Sequence, residues 1–197
     1  MAVSRFNPSD PDTGLRQIVP ASVAVGSGSG SVNGNGTVEF SGASSISLND
    51  CFSSNYRDYR IIVNYIGGQT SGFGTRIRLR VSNSDNSNNS YKTSGFGIAD
   101  LTSNNIYKLQ SNGSISYFDA GSASSNAYSF MNYDIFNPYE SQKTTFAGNW
   151  SYLENDGRWF WNSEGGIFDA TTSFTGFTLY TAASTVTGSI QVYGYRK

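Results

Sequence analysis

The chain has 197 residues, with 13 Lys and Arg against 14 Asp and Glu and a formal net charge of −1, so no overall field steers it onto nucleic acid or an anionic membrane. It has no histidine and one cysteine, which removes the His-based nucleophile triads, the commonest zinc ligand and any internal disulfide. Thirteen Tyr and thirteen Phe among abundant Ser, Asn, Gly and Thr suit strands instead, and the length is that of one domain with a sizeable core.

Residues 1–25 carry Pro8, Pro11 and Pro20 in a polar setting. Each proline removes a backbone donor and disfavours helix in its predecessor. Asp10 to Gly14 opens like a calcium loop but lacks the later acidic ligands, so a plain turn is expected. Gly26 to Gly36, Gly-Ser-Gly-Ser-Gly-Ser-Val-Asn-Gly-Asn-Gly, has the composition of a flexible linker. Residues 1–36 are thus predicted to form an extended N-terminal arm, tethered to a body spanning 37–197. Leu15, Ile18, Val19, Val23 and Val25 have little reason to sit in a solvated tail. Either the arm is disordered or it orders on a neighbouring subunit through these residues.

From Thr37 onward, short apolar runs alternate with turn clusters, the pattern of an all-β sandwich or barrel. Strands are predicted over 37–40, 44–48, 57–66, 75–82, 90–98, 105–110, 114–118, 127–136, 142–153, 157–162, 173–181 and 187–196. The organising stretch is Ser44 to Ile66. Within it Tyr59, Ile61, Val63 and Tyr65 recur at period two, while Arg60, Ile62, Asn64 and Ile66 make the other face too apolar for free solvent. Such a strand is central in its sheet or covered by a second layer. Cys51, between a turn and Phe52, reads as a small buried residue or, alternatively, a reactive thiol. Asp156-Gly157 between alternating runs predicts a hairpin. Phe174–Thr181 and Gly188–Tyr195 read as a closing hairpin.

Three constellations could carry contacts. In Arg76-Ile-Arg-Leu-Arg-Val81, Arg76, Arg78 and Arg80 share one face. They either pair across strands with acids such as Asp58, Asp134 or Glu140, lie under tyrosines, or form a basic stripe for an acidic partner. Thr70-Ser-Gly-Phe-Gly74 recurs as Thr93-Ser-Gly-Phe-Gly97, so Phe73 and Phe96 either sit on two ordinary turns or lie together at one end of the sandwich. In Arg158-Trp-Phe-Trp161, Trp159 and Trp161 share a face opposite Phe160. If the tryptophans point inward the pattern is packing, and if outward they form a glycan-stacking platform or a subunit contact. Asp119, Asp134, Glu140, Glu154, Asp156, Glu164 and Asp169 are scattered acids. No catalytic residue, cofactor site or metal site is assigned.

The residues Phe40, Ile46-Ser-Leu48, Cys51-Phe52 and Tyr56-Arg-Asp-Tyr-Arg-Ile-Ile-Val63, closed by Gly188-Ser-Ile-Gln-Val-Tyr-Gly-Tyr195, resemble a loose group of tailed-bacteriophage virion proteins. The resemblance covers about 37–195 and is anchored at its two ends. It implies a jelly-roll-like antiparallel sandwich serving as a capsid decoration or cement protein, or as a tail or fibre domain that recognises host surface glycans. It also implies other virion proteins (major capsid or tail proteins) as partners, a homo-oligomer that in this group is often a trimer, and no catalytic residues. No stretch reaches the length of a membrane helix, and the N-terminus lacks the apolar core of a signal peptide. The expectation is therefore a non-enzymatic chain in a virion assembled in the host cytoplasm, with no nucleic-acid or membrane partner.

Overall fold

The computed structural model describes residues 14–99 and 105–196. Within them the chain forms strands and no helix: β1 (Leu15–Gln17), β2 (Ser22–Val25), β3 (Ser29–Val32), β4 (Val38–Ala43), β5 (Ser45–Asn49), β6 (Tyr56–Gly67), β7 (Phe73–Val81), β8 (Ser84–Asp85), β9 (Tyr91–Ala99), β10 (Asn105–Ile115), β11 (Phe118–Ala123), β12 (Ser129–Phe136), β13 (Thr144–Leu153), β14 (Trp159–Phe168), β15 (Gly176–Thr181) and β16 (Val186–Arg196). All pairings are antiparallel. One sheet has ten strands, in the order β10-β9-β14-β13-β12-β6-β16-β4-β3 with β1 added on β16. The other has six, β11-β7-β15-β5-β2 with β8 added on β7.

Inside these sheets, the quartets β4-β16-β6-β12 and β5-β15-β7-β11 have the two-Greek-key wrapping of a jelly roll. The hairpins β9–β10 and β13–β14 are additions that widen only the larger sheet. β6 is central, between β12 and β16. Its Tyr59, Ile61, Val63 and Tyr65 are fully buried and face Ile46, Leu48, Ile77, Leu79, Phe177 and Leu179 of the smaller sheet. Burying this many tyrosines requires partners for their hydroxyls. Tyr59 donates to the Ser53 carbonyl at 2.9 Å, Tyr65 shares a hydrogen bond with Thr75 at 3.0 Å, and Tyr91 donates to the Asn86 carbonyl at 2.7 Å. Cys51 is buried among them, and burial pushes its thiol pKa well up.

Residues 14–36 depart from expectation. They are not an arm on a flexible linker: β1 pairs with the end of β16, β2 extends the smaller sheet beside β5, and β3 extends the larger beside β4. Ile18, Val23 and Val25 pack against the core. The glycines here allow close approach. A Cβ on Gly28, whose φ is +69°, would stand 2.0 Å from the Ser41 carbonyl oxygen, and one on Gly36, at φ +92°, 2.5 Å from that of Ile18. A Gly/Ser run that reads as flexible thus holds β3, the edge strand of the larger sheet. Pro8, Pro11 and the Asp10 to Thr13 turn lie outside the described residues.

A second correction concerns the C-terminus. β15 and β16 do not pair with each other, since β15 lies in the six-stranded sheet and β16 in the ten-stranded one. The turn between them carries the chain across the core, so Phe177 and Leu179 face Ile190 and Val192 instead of lying beside them. The Asp156-Gly157 turn does make a hairpin, β13–β14, with Gly157 at φ +85°.

Candidate functional site

The larger sheet outruns the smaller at β14, β9 and β10, and alternation along these strands decides which side chains face out. Phe160 points inward, stacked on Tyr152 with centroids 4.8 Å apart and edge-on to Tyr107 at 6.1 Å. Tyr107 donates its hydroxyl to Asn162 Oδ1 beneath β9. There Gly97 leaves room, since a Cβ on it would lie 1.9 Å from that same Oδ1. The inner side of the overhang is filled by the protein's own rings, so Trp159 and Trp161 face outward.

Register then assembles a row. Ile106 lies opposite Ile98, Ile98 opposite Trp161, Trp161 opposite Ser151 and Ser151 opposite Phe130. At the usual strand spacing this row runs roughly 19 Å. Phe96 flanks it, edge-on to Trp161 with centroids 6.3 Å apart, and Trp159 flanks it on the other side. Ile106 is 74% exposed, Phe96 49% and Trp159 45%. Large apolar side chains concentrated on one face, unlike single scattered ones, mark a contact surface. Sequence reasoning found three of these residues but missed Ile98, Ile106 and Phe130. Their only signal is strand alternation, and the strand order that lines them up is not local.

The same row continues across the sheet and changes character. Phe130 lies opposite Asn64, Asn64 opposite Ser189, Ser189 opposite Glu39 and Glu39 opposite Ser31. Farther along β6, Arg60 grips Asp134 of β12 with two hydrogen bonds, Nε to Oδ1 at 2.8 Å and Nη2 to Oδ2 at 2.7 Å, and Tyr195 donates to the same carboxylate at 2.6 Å. Burial pushes Asp134 up, but these donors outweigh it and hold its pKa below the ordinary value.

The remaining sequence candidates fall elsewhere. Phe73 is buried on the inner face of β7, so it does not join Phe96, and the repeated pentapeptide places one ring in the core and the other outside. The arginines of β7 do line the outer face of the smaller sheet, but not as an open basic stripe. Arg80 is buried, bonded to Asp85, Asn49 Oδ1 at 2.9 Å and Thr178 Oγ1 at 2.8 Å. Arg76 lies over the Tyr117 ring at 4.2 Å and Arg78 over Tyr180 at 4.7 Å. Asp58 and Asp134 pair with Arg57 and Arg60, not with this strand. Of the N-terminal apolar residues, Ile18, Val23 and Val25 pack on the core while Leu15 and Val19 remain exposed.

One acid has an unusual environment. Glu164, buried between the sheets, accepts from Tyr133 at 3.0 Å and from Trp150 Nε1 at 3.1 Å. Burial pushes its pKa up to about 7, and nearby Asp119, itself raised by burial, adds to this. Its carboxylate faces the interior, not the exposed row. Among the described residues no group of three or more Cys, Asp or Glu side chains is placed to hold a metal ion.

No protein-family model matches this chain, and no curated protein matches it. Among solved structures, the CBM2 module of the evolved Dit of Lactobacillus casei BL23 phage J-1 aligns over 96% of this chain and 94% of its own, at 10% identity and a TM-score of 0.24. At that TM-score the likeness carries no argument about fold or function.

Proposed function

We propose that this chain is a non-enzymatic bacteriophage virion structural protein, a head decoration or cement protein, that seats the apolar half of its outer face on a neighbouring virion protein. The observation that carries the reading is the outward row of exposed Ile106, Ile98 and Phe130 with half-buried Trp161, flanked by exposed Phe96 and Trp159. Taking such side chains out of water drives association with no reactive group. Aliphatic members favour a protein partner, because isoleucine offers apolar area but no π face for a sugar. The virion setting comes from the sequence resemblance at Tyr56–Val63 and Gly188–Tyr195. The partner is a major capsid or tail protein, with further copies of this chain beside it.

The test is attachment of the purified chain to heads that lack it, followed by co-sedimentation. The double variant Ile106→Asp, Trp161→Asp keeps its melting temperature within a few degrees, because Ile106 is exposed and Trp161, half-buried, lies on the outer face away from the core, and loses attachment. Attachment at the wild-type level would rule the reading out. A second reading is favoured by one observation, the three rings of Phe96, Trp159 and Trp161 on one face. In it the chain is a head or tail fibre component that stacks host glycans on these rings. Binding of the isolated protein to host cells and not to heads, abolished by Trp161→Ala, would select it.

A further inference from the structure

We infer that the polar half of the same outer face is a binding groove for a neutral saccharide, a site separate from the apolar row and independent of what that row contacts. The groove has a volume of about 570 Å³, within the usual range of ligand sites. It is lined by side chains of β3, β4, β16 and β6 together with Tyr128. Ser31, Glu39, Ser189 and Asn64 lie opposite one another on four adjacent strands, a rung of roughly 14 Å at ordinary strand spacing. That length suits a short oligosaccharide lying across the strands.

The lining is specific in three respects. Most of its lining residues are small, among them Ser29, Ser31, Ser41 and Ser189, so a flat ring can approach the backbone. Next, the hydroxyls of Ser29, Ser31, Ser41 and Ser189 and the amide of Asn64 have no side-chain hydrogen bond to other described residues. Glu39 has one long contact, accepting from Asn33 Nδ2 at 3.4 Å. These donors and acceptors are held on paired strands and face the groove with their capacity unspent. Finally, Tyr128, 68% exposed, presents an aromatic face at the rim. An aromatic face beside a carboxylate and several hydroxyls matches the two faces of a sugar: its C–H face stacks on the ring and its hydroxyl pairs donate to the carboxylate. Glu39 is the sole charged residue in the lining, so an acidic sugar meets repulsion with no cation to offset it.

The experiment titrates the full-length chain with oligosaccharides ending in neutral hexose, N-acetylhexosamine or deoxyhexose, and with uronic-acid-terminated counterparts, by saturation-transfer NMR and calorimetry. At least one neutral member binds and the acidic set does not. Tyr128→Ala and Glu39→Gln each lower that affinity about tenfold, the scale of losing one stacking face or one charge-assisted hydrogen bond. Trp161→Ala leaves it unchanged. Both groove side chains are at the surface, so circular dichroism of the variants stays that of the wild type. No binding of any neutral member overturns the inference. So does preference for the acidic set, or a loss that follows Trp161→Ala and spares Tyr128→Ala, which would move sugar recognition to the aromatic row. Loss of head attachment in the Ile106→Asp, Trp161→Asp variant bears on the assembly reading alone.

Discussion

The outer face of the ten-stranded sheet has two halves joined by one register row, and they differ in chemistry and in construction. The apolar half, Ile106, Ile98 and Trp161, stands on hairpins added to the jelly roll. The polar half, Asn64, Ser189 and Glu39, stands on strands of the jelly roll itself, extended by β3. An added hairpin at the rim of a sheet need satisfy the core on one side only, and here its own rings do so. Its other side is free to carry a contact surface. The jelly-roll strands of the polar half keep an outer face of small and polar groups. One sheet thereby presents two surfaces of different chemistry.

The largest effect expected is from beginning the chain at Thr37. This removes β1, β2 and β3 and uncovers the core beneath Ile18, Val23 and Val25. A loss of about 3–5 kcal/mol is expected from that apolar area, lowering the melting temperature by about 10 °C and abolishing saccharide binding in the polar half, while attachment through the apolar half persists below the transition. An unchanged melting temperature, measured by calorimetry, would restore the arm reading.

The repeated pentapeptide separates inside from outside. Phe73→Ala leaves a cavity in the core and costs about 3–4 kcal/mol. Phe96→Ala, on the exposed face, costs less than about 1 kcal/mol and acts on attachment instead. Equal stability losses in urea titrations would contradict the assignment of their faces.

Glu164 tests the layer beneath the apolar half. Its folded pKa, about 7, is raised above the ordinary 4.5. The protonated carboxyl is therefore favoured in the folded state, and stability is full below pH 4.5 and is lost as pH rises to about 7. For so buried a group the loss is roughly 2–4 kcal/mol. Glu164→Gln keeps an acceptor for Trp150, removes this slope and raises stability at pH 8. A wild-type-like slope between pH 4.5 and 7 in that variant would assign the pH dependence to another group.

Much of the strand content was legible locally. From Val38 onward, twelve of the observed strands fall on or beside predicted ones, because a strand half-buried in a sandwich must alternate, as Tyr59, Ile61, Val63 and Tyr65 do. Gly26 to Gly36 misled because the same composition serves flexible chain and tight sheet edges. Only the nearness of the Ser41 and Ile18 carbonyls distinguishes them. The Trp159–Trp161 pattern left its direction open, since period two defines two faces without saying which one is covered.

By itself, the sequence determined that the chain is all-β, where its central strand lies, and that its acids and bases nearly cancel. It also determined which residues share a strand face, since alternation is a property of the backbone. Tertiary structure alone decided which faces are covered: Phe73 in and Phe96 out, Arg80 spent on Asp85, and Trp159 and Trp161 turned to the outer face. It also brought Glu39, Asn64, Tyr128 and Ser189 to one groove, because strands distant in sequence become neighbours only once the chain has wrapped from sheet to sheet.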